Sequence, residues 1–239
     1  TYSVTRTWTA TDDCGNTATC SGTIVVRDVT APTITCVAQT TPINCPAVPV
    51  FTAPTATDAC DVTVTITFTD ATTQGSCAGT YSVTRTWTAT DDCGNTATCS
   101  GTIMVRDVTA PTITCVAQTT PINCPAVPVF TPPTATDACD ATVTITFSDA
   151  TTQGSCAGTY SVTRTWTATD DCGNTATCSG TIVVRDVTAP TITCVAQTTP
   201  INCPAVPVFT PPTATDACDA TVTITFTDAT MQGSCAGTY

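Results

Sequence analysis

Two stretches of the chain alternate apolar residues with threonine. The first, from Val62 to Thr69, reads VTVTITFT, and the second, from Tyr81 to Thr90, reads YSVTRTWTAT with Arg85 as the exception. Alternation with a period of two among β-branched residues is typical of half-buried antiparallel strands. A third segment, from Thr96 to Arg106, turns one face inward with small and apolar side chains. We therefore predict three long strands in this part of the chain.

The rest of the chain favours the same class of structure. No segment shows helical periodicity, and Pro and Gly interrupt every connection between the apolar runs. Shorter strands are predicted near Thr33 to Ala38 and near Val48 to Pro54. The pattern predicts an all-β fold of short antiparallel strands.

The strand pattern recurs with a fixed period. The same tyrosine recurs every 79 residues, at Tyr2, Tyr81, Tyr160 and Tyr239, and the copies differ at five positions. A period of this length suits one small domain. The predicted boundaries are an incomplete domain at 1–28, complete domains at 29–107 and 108–186, and an incomplete domain at 187–239. The short joint between copies contains Pro111, which favours an extended and stiff rod.

The charge of the chain excludes some partners. Its 18 acidic residues are all Asp and its six basic residues are all Arg, which gives a net charge of −12. An acidic chain without basic clusters repels phosphate backbones and anionic lipid surfaces. We expect neither nucleic-acid binding nor direct membrane insertion.

Cysteine supplies the strongest structural signal. The 18 cysteines fall six to a period, which indicates disulfides made in an oxidising compartment, whereas their spacing matches no zinc motif and His is absent. Six cysteines allow 15 connectivities, of which the strand placement favours one. It pairs Cys36 with Cys99, Cys45 with Cys77 and Cys60 with Cys93. In the later copies the predicted pairs are Cys115 with Cys178, Cys124 with Cys156, Cys139 with Cys172, and Cys203 with Cys235. The cysteines expected to have partners outside this sequence are Cys14, Cys20, Cys194 and Cys218.

Acidic turns form the candidate metal site. The strand order brings Asp107 on the joint towards two later turns, one with Asp137 and Asp140 and one with Asp170 and Asp171. Hard cations such as calcium take six to eight oxygen ligands, so structural calcium at the joints is one hypothesis. The alternative is that each Asp caps its own turn. The full candidate set is Asp28, Asp58, Asp61, Asp91, Asp92, Asp107, Asp137, Asp140, Asp170 and Asp171.

Catalytic motifs are missing from the sequence. There is no His or Glu, no nucleophile elbow and no phosphate-binding Gly loop. Rows of threonine such as Thr84, Thr86 and Thr88 suit a solvated sheet face, although a glycan- or ice-binding surface is an alternative. We predict that the protein is not an enzyme and, apart from calcium, expect no cofactor.

Three motifs resemble a known module. DVTAPTITC, PTATDAC and TWTATDDCGNTATCSGTIVV are similar to the hyalin repeat (HYR), an immunoglobulin-like β-sandwich of extracellular proteins. The near-identical copies and extra cysteines resemble HYR-like arrays in giant secreted or surface adhesins of Bacteroidota-type bacteria. The resemblance implies that Cys36 and Cys99 are the usual bonded pair, whereas Cys45, Cys77 and Arg85 depart from the family pattern.

The resemblance also implies a function. We expect tandem immunoglobulin-like sandwiches that form the non-enzymatic stalk or filament of an extracellular adhesin, secreted or held at the cell surface. The expected partners are neighbouring repeats and, in a fibre, identical chains. In the alternative, the repeat surfaces themselves bind a glycan, ice or another protein chain.

Overall fold

Strands account for all the regular secondary structure in the described part of the chain. The computed structural model describes residues 1–197 and 199–233, and within them it contains sixteen strands and no helix. The all-β prediction is therefore confirmed. The strands are β1 (Tyr2–Thr11), β2 (Thr17–Val26), β3 (Thr33–Thr35), β4 (Ile43–Asn44), β5 (Thr55–Thr57), β6 (Thr65–Gln74), β7 (Tyr81–Thr90), β8 (Thr96–Arg106), β9 (Thr112–Thr114), β10 (Ile122–Asn123), β11 (Thr134–Thr136), β12 (Thr144–Gln153), β13 (Tyr160–Thr169), β14 (Thr175–Arg185), β15 (Thr191–Thr193) and β16 (Thr213–Thr215).

The chain forms two compact units. Unit 1 contains Thr1–Ala110 together with two later turns, Asp137–Thr142 and Asp170–Asn174, which we call the junction turns. Unit 2 contains the other described residues from Pro111 onward. The domain boundaries expected from the repeat period stay a prediction.

Each unit is built around one four-stranded sheet. In unit 1 the order is β4-β8-β7-β6, with β7 antiparallel to both long neighbours and β4 parallel to β8. In unit 2 the order is β10-β14-β13-β12. A small antiparallel sheet of β3 and β5, or of β9 and β11, belongs to the same unit, and unit 1 also contains the β1-β2 hairpin.

The structure corrects two of the predicted strands. Strands at 81–90 and 96–106 agree with the prediction, but β6 begins at Thr65 and continues to Gln74. Residues 48–54 form no strand, since Pro49 and Pro54 lack the amide hydrogen that a ladder needs. Side-chain hydrogen bonds hold this segment instead. The Gln39 amide donates to the Thr52 carbonyl oxygen at 3.1 Å and accepts from the Thr52 nitrogen at 2.8 Å.

The core of unit 1 is small. Trp87, Ala89, Ile103 and Val105 are buried on the inward face of β7 and β8, and the Trp87 ring meets Phe51 edge to face at 5.8 Å. The β1-β2 hairpin has nearly the same sequence, yet its Trp8 is 52% exposed whereas Trp87 is 3% exposed. The Trp side chain is therefore buried by tertiary packing, which the β7 position has and the hairpin lacks.

Arg85 interrupts the alternation of β7 for a structural reason. Its guanidinium lies over the rings of Phe68, at 3.8 Å, and Phe51, at 4.6 Å. It also donates two hydrogen bonds of 2.7 Å to the Asp70 carboxylate on β6. These hydrogen bonds, with the positive charge behind them, lower the pKa of Asp70. The contact lies one residue beyond the predicted end of the strand, and the β6-β7 ladder continues from there to Gln74.

Candidate functional site

One disulfide lies within each copy when the copies are counted with the predicted boundaries, 29–107 and 108–186. Cys36, just after β3, is bonded to Cys99 on β8, and Cys115 is bonded to Cys178 in the same way. The Cα atoms are 6.0 Å and 5.9 Å apart, within the usual range for disulfides. These are the pairs that the strand placement and the HYR resemblance predict.

The other disulfides cross from one copy to the next. In unit 1, Cys45 is bonded to Cys139 and Cys77 to Cys172, with Cα distances of 5.9 Å and 5.2 Å. In unit 2, Cys124 is bonded to Cys218. Their sequence separations of 94 or 95 residues exceed the 79-residue period. Each bond therefore joins a cysteine of one copy to a cysteine of the following copy.

This connectivity corrects part of the prediction. Cys45 is not bonded to Cys77, Cys124 is not bonded to Cys156, and Cys139 is not bonded to Cys172. Cys218, expected to have its partner outside the sequence, is bonded to Cys124. The physical reason is that a junction turn of the following copy packs against each of the two loops that were predicted to meet. Alternation and turn signals describe one copy at a time and contain no information on that packing.

The remaining cysteines have no bonded partner among the described residues. Cys60 and Cys93 are both exposed and unbonded, so their predicted pairing is absent from the structure. The predicted bond between Cys203 and Cys235 is not described, because Cys235 lies outside the described residues. The other unbonded, exposed cysteines are Cys14, Cys20, Cys156, Cys194 and Cys203.

Gly79 lets the Cys77 loop reach the first junction turn. Its φ of +70° is one that side-chain-bearing residues rarely adopt. A Cβ at this position would lie 2.8 Å from the Cys139 carbonyl oxygen and 3.0 Å from Cys45 Sγ. Gly158 stands in the same relation to Cys218 in unit 2. The glycine thus provides both the backbone angle and the space beside the crossing disulfide.

Substitution of Gly79 by alanine is expected to disturb the Cys45–Cys139 bond. The left-handed backbone alone costs about 1–2 kcal/mol, and the new methyl group also displaces Cys139. We expect two additional reactive thiols and a lower urea midpoint of unfolding, measured by thiol labelling and fluorescence. Gly94→Ala is the matched control, since Gly94 has φ of +87° but no atom lies within 4 Å of the point that its Cβ would occupy. Equal thiol counts in the two variants would contradict the role of Gly79.

Two aspartates of the first junction turn act as turn caps. Asp137 Oδ1 accepts hydrogen bonds from the backbone nitrogens of Cys139 and Asp140, at 2.8 Å and 3.1 Å. Asp140 Oδ1 accepts from the Thr142 nitrogen at 2.8 Å, and its Oδ2 accepts from the Asp171 nitrogen at 2.8 Å. These backbone donors, Thr142 first, lower the pKa of Asp140. The second contact ties one junction turn to the other.

Asp170 caps the second junction turn through Asn174. The backbone nitrogen and the side-chain amide of Asn174 each donate to the Asp170 carboxylate at 2.8 Å. Asp91 makes the corresponding contacts with Asn95, and Asp58 and Asp61 cap the earlier turn as their counterparts do. Turn capping, the alternative left open by the sequence, is thus how most of these side chains are used.

Asp107 is held differently. It is 7% exposed, and its Oδ1 accepts from the Thr109 nitrogen and hydroxyl, at 3.1 Å and 2.8 Å. Its Oδ2 is buried and has no hydrogen-bond partner among the described residues. One carboxylate oxygen of Asp107, one of Asp137 and Cys139 Sγ all lie within 4.8 Å of one another. The same grouping recurs at Asp28 with Asp58 and Cys60, and at Asp186 with Asp216 and Cys218.

The structure therefore brings together a smaller acidic set than predicted. Asp107 and Asp137 converge, as do Asp28 and Asp58, whereas Asp140, Asp170 and Asp171 belong to none of the three groups that the described residues form. The Asp186–Asp216 group was not in the predicted set, although the 79-residue period was sufficient to find it.

Comparison with curated proteins finds a relative of this chain by sequence. It is 33% identical over 237 residues to Hyalin of Lytechinus variegatus, covering 90% of this chain and 44% of that protein. The chain thus spans less than half the length of this curated relative. No protein-family model matches the sequence. Over most of its length the chain is hyalin-repeat-like, and this sequence relationship agrees with the motifs that carry the resemblance.

Solved structures add distant similarities. The protocadherin GammaB4 extracellular domain aligns over 82% of this chain and 40% of its own, at 18% identity and a TM-score of 0.34. Drosophila N-cadherin EC1-4 aligns over 66% of this chain and 50% of its own, at 12% identity and a TM-score of 0.35. Within the described residues, no helix has the length and apolar character needed to cross a membrane.

Proposed function

We propose that the chain is a covalently linked spacer in an extracellular adhesion protein. The observation that carries this proposal is the set of disulfides that cross between copies: Cys45–Cys139, Cys77–Cys172 and Cys124–Cys218. Disulfides persist in oxidising compartments, which supports secretion or surface exposure. A non-enzymatic role fits a chain without His or Glu.

The crossing bonds suit a stalk because they shorten the covalent path between the two ends. Tension applied to the termini passes from Cys45 directly to Cys139 and from Cys124 directly to Cys218. Long segments between the bonded positions are bypassed and cannot be extended while the bonds are intact. Such a region keeps an adhesive end at a set distance even when a domain unfolds.

Single-molecule pulling on the full chain tests this role. We expect the oxidised chain to detach at roughly one third of the extended length reached after reduction, counting about 3.5 Å per residue along the bonded path. Replacing Cys124 and Cys218 with alanine should raise that fraction to about one half. Replacing the unbonded Cys14 and Cys20 should leave it unchanged. Equal lengths before and after reduction would overturn the proposal.

A finer assignment follows the sequence resemblance. From the near-identical copies and the extra cysteines, we infer that the chain is part of a giant adhesin of a Bacteroidota-type bacterium. The curated relative does not bear on which organism the chain comes from. Neighbouring repeats are the partners that the crossing bonds support. In the alternative, the repeat surfaces themselves bind a glycan, ice or another chain. A three-copy protein would then give a positive result in a glycan array or an ice-affinity assay, whereas a passive spacer would be negative in both.

A further inference from the structure

We propose that Asp107 and Asp137 form a binding site for a calcium ion at the first junction turn of unit 1. This goes beyond the spacer role and is independent of it, since the crossing disulfides would link the copies with or without a cation. Of the ten candidate aspartates, only this pair of carboxylates is assigned to the site. The free oxygens of the two carboxylates determine which kind of ion would bind.

Asp107 has a carboxylate oxygen with no hydrogen-bond partner among the described residues. The side chain is more than nine-tenths buried, and Oδ2 has no donor among the described residues. A buried charged oxygen without a partner is unfavourable, so native structures satisfy such groups with a donor, a water or an ion. The two donors from Thr109 are both directed at Oδ1 and leave Oδ2 available.

A second carboxylate, that of Asp137, lies close to Asp107. A carboxylate oxygen of Asp137 lies within 4.8 Å of one of Asp107, and the hydrogen bonds to Asp137 use its Oδ1. The ion pairs found among the described residues are Arg85–Asp70 and Arg164–Asp149, so no arginine neutralises this pair there. Two carboxylates held this close favour a bound cation between them.

The donor set selects the class of cation. Zinc prefers thiolate and imidazole, but Cys139 Sγ is committed to the disulfide with Cys45 and the chain has no His. Magnesium demands a near-regular octahedron, whereas calcium accepts irregular sets of carboxylate, carbonyl and water oxygens. An irregular junction with two free carboxylate oxygens therefore suits calcium.

The three copies provide an internal comparison. Asp28 and Asp186 form the same grouping with Asp58 and Asp216, but both are only half-buried, whereas Asp107 is buried. Burial excludes competing water and strengthens the attraction between ion and carboxylate. We therefore expect one stronger site at Asp107 and weaker binding at the other two.

Calorimetric titration of calcium chloride into the oxidised, EDTA-treated full chain tests the site. We expect saturable binding with a dissociation constant of about 10⁻⁴ to 10⁻³ M, the range of extracellular modules, and a melting temperature that rises with calcium. Asp107→Asn should weaken the stronger site at least tenfold, and Asp186→Asn should leave it intact. The matched control is Asp171→Asn, because Asp171 is exposed on the second junction turn and its loss changes net charge equally.

Titration of the unsubstituted chain and of the Asp107→Asn and Asp171→Asn variants can overturn the proposal in two ways. One is the absence of saturable heat and of any thermal shift up to about 10 mM calcium, well above the expected range. The other is equal weakening by Asp107→Asn and Asp171→Asn, which would indicate diffuse attraction to an acidic surface. Asp137→Asn provides a second variant if Asp107→Asn does not fold by circular dichroism, and retention of the stronger site in that variant would also overturn the assignment.

Discussion

Replacing Cys36 and Cys99 together with alanine is expected to lower the free energy of unfolding of unit 1 by about 4 kcal/mol in the chain-entropy model of disulfides. The bond joins two cysteines that are 63 residues apart in the sequence. Because its loss lets the unfolded chain adopt many more conformations, the unfolded state becomes more favourable. The unit has few large buried side chains to compensate. We therefore expect much of the unit to be unfolded at 37 °C.

The measurement is urea unfolding followed by tryptophan fluorescence. Trp8→Phe and Trp166→Phe in the background leave Trp87 as the reporter, and its burial at 3% exposure makes it sensitive to unfolding of β7 and β8. The control is Cys14→Ala with Cys20→Ala, since both cysteines are exposed and unbonded. Cys20 is the sequence counterpart of Cys99, so the two double variants differ in bonding rather than in residue type. A urea midpoint for the Cys36/Cys99 variant equal to that of the control would contradict the expectation.

Trp87→Ala is expected to cost about 3–5 kcal/mol, the usual range for removing a buried Trp. The side chain is 3% exposed and meets Phe51 edge to face at 5.8 Å. Its removal leaves a cavity and also weakens the position of Phe51, over which the Arg85 guanidinium lies at 4.6 Å. The loss therefore extends to the β6-β7 ladder, where Arg85 meets Asp70.

Hydrogen exchange read by mass spectrometry localises this effect. Amides of β6, β7 and β8 should lose protection in Trp87→Ala, because their slow exchange depends on the packed face of the sheet. Trp8→Ala is the matched control: it changes the same residue in the same repeat position, but Trp8 is 52% exposed. We expect less than about 1 kcal/mol from the control. A similar loss of protection in both variants would show that Trp87 is not a core residue.

Both expected results reflect how stability is divided between the small core and the disulfides. A small core and a modest domain size provide little stability, so covalent bonds supply what the core does not. The bond within a copy, Cys36–Cys99, holds that copy together. The bonds between copies, such as Cys45–Cys139, hold the array together. These two kinds of bond have separate consequences, the first for folding and the second for resistance to extension.

Part of this organisation was predictable from local patterns. The strands at 81–90 and 96–106 follow from alternation and turn residues, which act over a few residues and are visible in any one copy. The pairing of Cys36 with Cys99 also follows, because these strands set which cysteines face each other. The strand near Val48 to Pro54 was predicted wrongly, because Pro49 and Pro54 lack the amide hydrogen that a ladder needs.

The acidic site shows a similar division. The sequence places Asp107 and Asp137 at one joint, and the structure brings a carboxylate oxygen of each within 4.8 Å. The sequence does not show that the carboxylates of Asp140 and Asp170 accept hydrogen bonds from backbone and amide donors. Nor does it show that Asp107 alone among its counterparts is buried with an unpaired oxygen, because burial depends on which loops pack over it.

By itself, the sequence determined the all-β class, the 79-residue period, the acidic turns and the bond within each copy, because all of these depend on local spacing and strand order. The tertiary structure alone decided that Cys45 and Cys77 are bonded to Cys139 and Cys172. The choice between a partner in the same copy and one in the next depends on which loops meet in space. Near-identical copies present the same cysteines at every period, so their spacing cannot distinguish the two.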